Sequence, residues 1–242
     1  MKRRNILLVN DDGIEAEGLR VLTELAAPFG ELWVAAPESQ CSAMSQRITI
    51  FEDLIARPVN YPVPVEGAWS VRGTPADCVK AALSRLLPVK PDLVLSGINN
   101  GWNTGFDIAY SGTIGAAMEA RMQGVAAIAL SNSFRGSFAV VKRELPRLLE
   151  KLLGQPAEQN GIWNVNFPGC DEELFQGVLW ERRVAPTQLY LDRFEVSESE
   201  GGTLALRNRG SLAAPEQVPQ GTDVRAVLEG YVSVGTVRSM VL

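Results

Sequence analysis

The chain has no histidine among its 242 residues. This absence excludes catalytic triads and dyads with a histidine base, histidine-ligated zinc and phosphohistidine intermediates. Any hydrolytic chemistry must therefore use carboxylates, a metal-activated water, lysine, tyrosine or backbone groups. The oxygen ligands that remain favour magnesium, manganese or calcium over zinc or copper.

Cysteine and long apolar runs are also scarce. Three cysteines, Cys41, Cys78 and Cys170, are scattered along the chain, which argues against a disulfide framework and against a CxxC metal site. No apolar stretch approaches the ~20 residues of a membrane-spanning helix. The basic start at Lys2–Arg4 is followed by too few apolar residues for a secretory signal. We therefore expect a cytoplasmic protein that does not associate with membranes.

Positive charge is in deficit, with a formal net charge of -5 and a pI near 5.0. This balance argues against binding to duplex nucleic acid or to an anionic membrane surface. The hydrophobic fraction of 46% is sufficient for a core, and the length suits one α/β domain with or without an appendage. An acidic protein can still bind phosphate, but it then needs local donors or a metal ion.

Two adjacent carboxylates, Asp11 and Asp12, follow the apolar run 6–9. The run predicts a buried strand, and its carboxyl end is where open α/β sheets place their ligands. Both carboxylates can serve one site if the chain turns at Gly13. At about 4 Å apart they would repel by roughly 4 kcal/mol at an effective dielectric of 20, a conflict that a divalent cation removes. The alternative is an ordinary turn with solvated acids.

Strands and helices alternate over roughly the first 165 residues, which predicts a mostly parallel sheet with right-handed crossovers. Residues 171–215 instead mix charged and apolar residues and predict a β-hairpin arm. We expect one domain over 1–242, with a core at about 1–170 and 216–242. The predicted strands are 6–9, 32–36, 92–95, 125–130, 162–166 and 231–234. Helices are predicted at 17–27 and at 141–152, the second with a kink at Pro146. Three more helices are predicted to begin at Thr74–Asp77, at Ser111–Thr113 and, for a short final helix, at the cap Gly221–Asp223.

Three loops follow predicted strands and should meet at one rim of the sheet. The first holds Asp11 and Asp12, the second spans residues 37–47, and the third spans residues 96–110. Glycines at every fourth position of the third loop match neither the dinucleotide fingerprint nor the Walker loop, so we reject NAD and P-loop ATP binding. These glycines favour the approach of backbone N–H groups to an anion, and the alternative is a merely flexible loop. The polar residues of the second loop include Ser39, Gln40, Ser42 and Ser45.

Ser111, Gly112 and Thr113 open a predicted helix. A helix N-terminus presents free N–H groups and a positive dipole end, so this tripeptide suits a phosphate oxygen. The alternative is a plain serine or threonine N-cap. Next to a metal held by Asp11 and Asp12, the tripeptide would complete an electrostatic surround for a phosphoryl group.

Five separated motifs, in order, resemble the survival protein E (SurE) family of 5′/3′-nucleotidases. The resemblance extends from residue 5 to about 235 and is weak between 171 and 215. The motifs are Asn10–Ile14, Gly73–Val79, Ser96–Gly101, Tyr110–Thr113 and Gly221–Asp223.

The resemblance implies a Rossmann-like three-layer core, a projecting hairpin, and a C-terminal element exchanged within a homodimer or homotetramer. It implies a phosphatase that hydrolyses nucleoside monophosphates with one divalent cation, Mg²⁺ or Mn²⁺, per subunit, with possible 3′-nucleotidase and polyphosphatase activity. The family's metal ligands fall on Asp11, Asp12, Ser42 and Asn99. Its phosphate-binding residues fall on Asn103, Ser111, Gly112 and Thr113.

The chain departs from the family pattern at three positions. Ala43 stands where glycine is common beside the ligand serine, and it would cost about 1 kcal/mol or more if the backbone there has a positive φ. Glu15 and Glu17 replace residues that are often neutral or histidine. They either weaken anion binding or lie on the surface at the start of the first helix.

We expect metal-assisted hydrolysis, with Asp11 orienting or deprotonating the attacking water. Two other functions are compatible with parts of the sequence. A receiver-like signalling domain also places paired acids after its first strand, but it needs a phospho-accepting aspartate where this chain has Ser96–Asn99. A non-catalytic nucleotide sensor would keep the pocket and lack turnover.

Overall fold

The computed structural model describes residues 3–155, 157, 161–198 and 200–238. A nine-stranded sheet in the order β3-β4-β2-β1-β5-β6-β7-β13-β8 forms its centre, and two small two-stranded sheets lie apart from it. The strands are β1 (Arg4–Val9), β2 (Gly30–Pro37), β3 (Ile55–Pro58), β4 (Gly67–Arg72), β5 (Leu93–Asn100), β6 (Ala126–Asn132), β7 (Gly161–Asn166), β8 (Gly177–Leu179), β9 (Tyr190–Leu191), β10 (Phe194–Glu198), β11 (Leu204–Asn208), β12 (Ser211–Leu212) and β13 (Tyr231–Arg238).

Six of the central strands, β4, β2, β1, β5, β6 and β7, are mutually parallel. The edge strand β3 is antiparallel to β4, and β13 is antiparallel to β7. The expected α/β class with a mostly parallel sheet is therefore confirmed. None of the helices in the described ranges is long and apolar enough to cross a membrane.

The described residues contain five α-helices: α1 (Glu17–Ala26), α2 (Pro75–Ala81), α3 (Gly112–Met122), α4 (Ala139–Leu152) and α5 (Asp223–Leu228). Three of them begin at the caps that the sequence predicts. Thr74 and Asp77 form a capping box at α2, Ser111 accepts from the Ile114 N–H at α3, and Thr222 accepts from the Arg225 N–H at α5. Because each cap satisfies a backbone donor that the helix leaves free, it fixes where the helix begins.

The sheet separates two apolar layers. α1 and α4 cover one face, where Leu22 and Leu145 are fully buried. α2 and α3 cover the other, where Val79 and Ala117 are fully buried. The helices that follow β1 and β5 thus lie on opposite faces of two adjacent strands, which opens a crevice at their carboxyl ends.

Three details differ from the sequence prediction. The strand predicted to end at Leu95 continues as β5 to Asn100, with an irregularity in its pairing to β6 between Ser96 and Asn99. The proline-containing stretch before α2 contains the strands β3 and β4 at the sheet edge. β8 lies in the part of the chain predicted as arm, yet it pairs with β13 in the central sheet. Glycine, asparagine and proline obscured these strands in the sequence.

The arm consists of the hairpin β10-β11 and the pair β9-β12, both antiparallel. Its base packs in a small apolar cluster of Ala185, Leu189 and Val224, with Trp102 at the edge. The arm is therefore anchored to α5 and to the loop that follows β5. Of the C-terminal element that the resemblance implies, residues 239–242 lie outside the described residues.

Candidate active site

The turn after β1 brings Asp11 into the crevice. Gly13 has φ 103, and the Asn10 side-chain nitrogen donates to the Gly13 carbonyl at 2.9 Å. The Asn10 Oδ1 atom is buried and has no hydrogen-bond partner. The Cys41 N–H donates to the Asp11 carbonyl at 2.7 Å, so the loop that follows β2 is fixed against this turn.

Asp11 is 4% exposed, and its Oδ1 accepts the Thr113 hydroxyl at 2.6 Å. Burial raises the pKa of Asp11 from 3.8 to about 6, and the charge of Asp12 acts in the same direction. Hydrogen bonds from Thr113 oppose this rise. The site therefore holds a carboxylate in surroundings that penalise its negative charge.

Asp12 lies beside the end of β5, where its Oδ2 accepts the Asn100 N–H at 2.9 Å. Desolvation raises the pKa of Asp12 as well. In the part of the chain that the structure describes, no lysine or arginine forms an ion pair with Asp11 or Asp12. Two adjacent acids without a cationic side chain fit a bound cation, which would supply the missing positive charge.

The neutral ligands that the resemblance implies lie on either side of this turn, Ser42 on the loop that follows β2 and Asn99 near the end of β5. Ser42 is exposed and follows Cys41, which is bonded to Asp11. Asn99 is half-buried and uses its side-chain nitrogen to donate to the Gly101 carbonyl at 2.8 Å. No group of three histidine, cysteine, aspartate or glutamate side chains suited to a metal occurs within the described ranges. A cation here would need neutral oxygens besides the two carboxylates, and hydroxyl and amide oxygens suit a hard ion such as Mg²⁺ or Mn²⁺.

The N-terminus of α3 closes the crevice on the other side. A Cβ on Gly112 would stand 2.9 Å from Asp11 Cβ and 3.0 Å from Asp11 Oδ2, so only glycine lets the helix approach so closely. The Thr113 hydroxyl is already donated to Asp11. The groups left to bind an anion are the Ser111 hydroxyl hydrogen and the Gly112 N–H, which has no acceptor within the helix.

Asn103 is placed differently from the other predicted site residues. Its side-chain nitrogen donates to Ser131 Oγ at 2.8 Å, and its backbone N–H donates to Asn166 Oδ1 at 2.9 Å. Its carbonyl accepts from the Asn164 side chain at 3.0 Å. Asn103 therefore belongs to a buried amide network at the ends of β6 and β7, and no hydrogen bond joins it to Asp11 or Asp12.

Two contacts that fix the Ser42 loop were missed at the level of sequence. A Cβ on Gly115, in the interior of α3, would lie 2.3 Å from the Ser45 carbonyl. Asp77 accepts the backbone and side-chain donors of Thr49 as well as capping α2. Gly115 did offer a signal, because glycine inside a helix costs about 1 kcal/mol and often marks a close approach.

Ala43 adopts φ 56, the left-handed conformation that glycine tolerates better than alanine. The strain expected from the replacement of the family's glycine is therefore present at this position. Ala43→Gly should raise the free energy of unfolding by up to about 1 kcal/mol, since it relieves a left-handed alanine while adding chain entropy to the unfolded state. Ala214→Gly is the matched control, because Ala214 has φ -74 and the change should only destabilise. Urea unfolding of both variants in EDTA measures the difference, and equal losses would show that Ala43 is unstrained.

A cavity of about 650 Å³ opens beside Asp12. Its polar lining includes the amides of Gln40, Asn100 and Asn132 and the guanidinium-bearing residue Arg135. This volume is within the usual range of ligand pockets, about 300–1,000 Å³. The crevice therefore combines an acidic pair, free donors at a helix start and an adjoining space for a larger group.

Comparison with known proteins places this chain in a family. The family model "Survival protein SurE" matches residues 6–187. A protein of Clostridium botulinum (strain ATCC 19397 / Type A) named 5′-nucleotidase SurE is 38% identical over 234 residues, which are 95% of this chain and 91% of that protein. The 5′-nucleotidase SurE 2 of Chlamydia caviae is 47% identical over 180 residues, 71% of this chain and 64% of that protein.

A solved structure shows the same fold. The crystal structure of the SurE protein from Aquifex aeolicus superposes with a TM-score of 0.81 at 33% sequence identity. The match covers 97% of this chain and 93% of that one. The likeness therefore includes the arm as well as the central sheet.

Proposed function

Since this chain belongs to the SurE family and is a 5′-nucleotidase, we propose that it hydrolyses nucleoside monophosphates with one divalent cation, Mg²⁺ or Mn²⁺, held by Asp11, Asp12, Ser42 and Asn99. The observation that carries the proposal is the buried Asp11 beside Asp12, with no cationic side chain paired to either among the described residues. A metal-dependent phosphatase, as the family implies, would bind a cation here, and that cation would supply the positive charge that this pair lacks.

The bound cation would place positive charge against a phosphate oxygen and make a water more acidic. Asp11 would orient the attacking water and accept its proton, since the Thr113 hydroxyl holds its other oxygen in place. The Ser111 hydroxyl and the Gly112 N–H would stabilise charge on the transferring phosphoryl group. A covalent phospho-aspartate is not part of this mechanism.

We propose roles for two of these residues that differ from the ones the resemblance implies. Thr113 acts on Asp11 rather than directly on the phosphate, because its hydroxyl is donated to the carboxylate. Asn103 supports the ends of β6 and β7 beside the site, because its side-chain nitrogen donates to Ser131 Oγ. We place the nucleoside in the cavity beside Asp12, where neutral amides can pair with the base and ribose.

We further propose a homodimer or homotetramer in which the arm contacts another subunit. The arm exposes several large apolar side chains, Leu191, Phe194, Val196, Leu204, Leu206 and Leu212, each at least 40% exposed. Val196 and Leu206 lie opposite each other across the hairpin, and grouped exposed apolar side chains are typical of an interaction surface. Sedimentation equilibrium would test this, and a monomer at micromolar concentration would contradict it. The cytoplasmic location stays a prediction from the sequence.

Metal affinity should depend on pH because protons compete for Asp11. Its pKa is raised to about 6, so the carboxylate is charged and ready for a cation above that pH and protonated below it. Below pH 6 the apparent affinity for Mn²⁺ should fall about tenfold per pH unit for one displaced proton. Calorimetric titration with Mn²⁺ at pH 5, 6, 7 and 8 measures this dependence. The same affinity for Mn²⁺ at pH 5 and at pH 6 would contradict it.

A substrate panel tests the proposed function. Phosphate release from 5′- and 3′-nucleoside monophosphates is measured with Mn²⁺, with Mg²⁺ and with EDTA. We expect metal-dependent release from 5′-nucleotides and none in EDTA. Folded protein that releases no phosphate from any substrate with either metal would contradict the enzyme and favour the non-catalytic sensor.

A further inference from the structure

The motif Gly221–Asp223 has no part in the chemistry proposed above, yet its aspartate is one of the most connected groups in the molecule. Asp223 is 4% exposed. Its Oδ1 accepts the N–H groups of Ala185 and Val224, both at 2.8 Å, and its Oδ2 accepts the N–H of Gly105 at 3.0 Å. One carboxylate thus joins α5, the base of the arm and the loop that follows β5.

The loop end of this junction leads directly into the site. Residues Gly105–Tyr110 form a single 3-10 segment that ends at Ser111, the N-cap of α3. We call residues 105–110 the bridge segment. Its far end also holds the Ser42 loop, because the Ser45 N–H donates to the Tyr110 carbonyl at 2.8 Å.

The base of the arm holds the near end of the bridge segment by further contacts. The Phe106 N–H donates to the Thr187 carbonyl at 3.0 Å. Gly105 has φ 55, and a Cβ there would lie 2.3 Å from that same carbonyl. Burial raises the pKa of the Asp107 carboxyl, and the nearby backbone N–H groups of Leu189 and Tyr190 oppose this rise, while the buried Oδ2 of Asp107 has no hydrogen-bond partner. The near end of the bridge segment is therefore attached to the base of the arm.

We propose that Asp223 is a positioning residue for the phosphate-binding end of the site, because it fixes the bridge segment, and through it Ser111 and Gly112, against the base of the arm. This inference rests on the proposed phosphatase function. It also makes the arm part of the catalytic framework, so that contacts made by the arm are transmitted to the site. A displacement of about 1 Å of a positioning group can cost on the order of a hundredfold in rate.

Asp223→Asn is a near-isosteric test of the junction. An asparagine can keep its oxygen on the N–H groups of Ala185 and Val224, but it then turns an NH₂ group toward the Gly105 N–H and loses that bond. We expect kcat/KM to fall by about ten- to a hundredfold. The inhibition constant of inorganic phosphate should rise about tenfold. The Kd for Mn²⁺ should rise less than about threefold, because the two charged ligands, Asp11 and Asp12, lie outside the bridge segment and only the neutral Ser42 lies on a loop attached to it.

Hydrogen exchange gives a readout that is independent of turnover. The amides of the bridge segment should exchange faster in Asp223→Asn than in the parent chain, and those of β1 should not. Asp92→Asn is the matched control, since Asp92 accepts the Asn5 N–H at 2.8 Å at the amino ends of β1 and β5, away from the site. It should leave phosphate inhibition and bridge exchange unchanged. If Asp223→Asn fails to fold, Asp107→Asn tests the same attachment, with a smaller expected effect.

The possible results separate the two proposals. A parent chain that releases no phosphate with metal contradicts the proposed function, and the exchange experiment still decides whether Asp223 holds the bridge segment. Unchanged exchange in the bridge segment overturns the positioning role. So does faster exchange with unaltered kcat/KM and phosphate inhibition, and so does an equal loss of Mn²⁺ affinity, which would indicate a general disturbance of the site.

Discussion

Asp11→Asn is expected to lower metal-dependent phosphate release by at least about a thousandfold, because it removes both a charged ligand of the cation and the group that accepts the proton of water. The variant should fold. Asp11 is 4% exposed, and its pKa is raised to about 6 by burial. Burial therefore destabilises the charged carboxylate, and a neutral asparagine at this position avoids that cost. An asparagine oxygen can still accept the Thr113 hydroxyl.

Initial rates at saturating Mn²⁺ and thermal unfolding in EDTA together measure this prediction. The unfolding temperature of metal-free Asp11→Asn should equal or exceed that of the parent chain. Asp92→Asn is again the control, since it removes a carboxylate that accepts a backbone N–H at the amino ends of β1 and β5. This variant should keep full activity. Retention of more than a tenth of the parent rate in Asp11→Asn would refute its proposed role.

Gly112→Ala is expected to have the second largest effect, a loss of about a hundredfold or more in kcat/KM. The added methyl would stand 2.9 Å from Asp11 Cβ, 3.0 Å from Asp11 Oδ2 and 3.2 Å from Pro75 Cγ. Neither neighbour can move freely, because Asp11 is bonded to Thr113 and Pro75 begins α2. The helix start must therefore move away from the crevice and take its N–H donors with it.

The matched control is Gly154→Ala, whose added methyl would meet only the Lys151 carbonyl at an ordinary 3.6 Å. It should leave kcat/KM unchanged. Calorimetry with Mn²⁺ should show that Gly112→Ala also weakens cation binding, since Asp11 is displaced. Unaltered kcat/KM in Gly112→Ala would show that the α3 start does not face the reacting phosphate.

Much of the fold could be predicted from the sequence because its signals are local. Alternating apolar strands and amphipathic helices predicted the parallel core, and cap residues such as Thr74 and Ser111 marked where helices begin. The outer strands β3, β4 and β8 could not be predicted, since β3 and β4 flank a stretch with several prolines and β8 has only three residues. Their pairing depends on a neighbouring strand rather than on their own composition.

The candidate site shows the same division. Adjacent acids after a buried strand and the tripeptide at Ser111 could be recognised directly, and the structure places Asp11, Gly112 and Thr113 in contact. The hydrogen bond from Thr113 to Asp11 could not be recognised in the sequence, because it joins side chains 102 residues apart. Nor could the bond from Gly105 to Asp223, which spans 118 residues. Contacts of this range follow from the crossover topology, which no short motif encodes.

The most direct test is a titration of the metal-free chain with Mn²⁺ in which binding and phosphate release from a 5′-nucleotide are followed together. We expect one Mn²⁺ per chain, phosphate release that rises in proportion to occupancy, and loss of both binding and release in Asp12→Asn. Undiminished release in excess EDTA, or full release with Asp12→Asn, would contradict a cation held by the acidic pair at the end of β1.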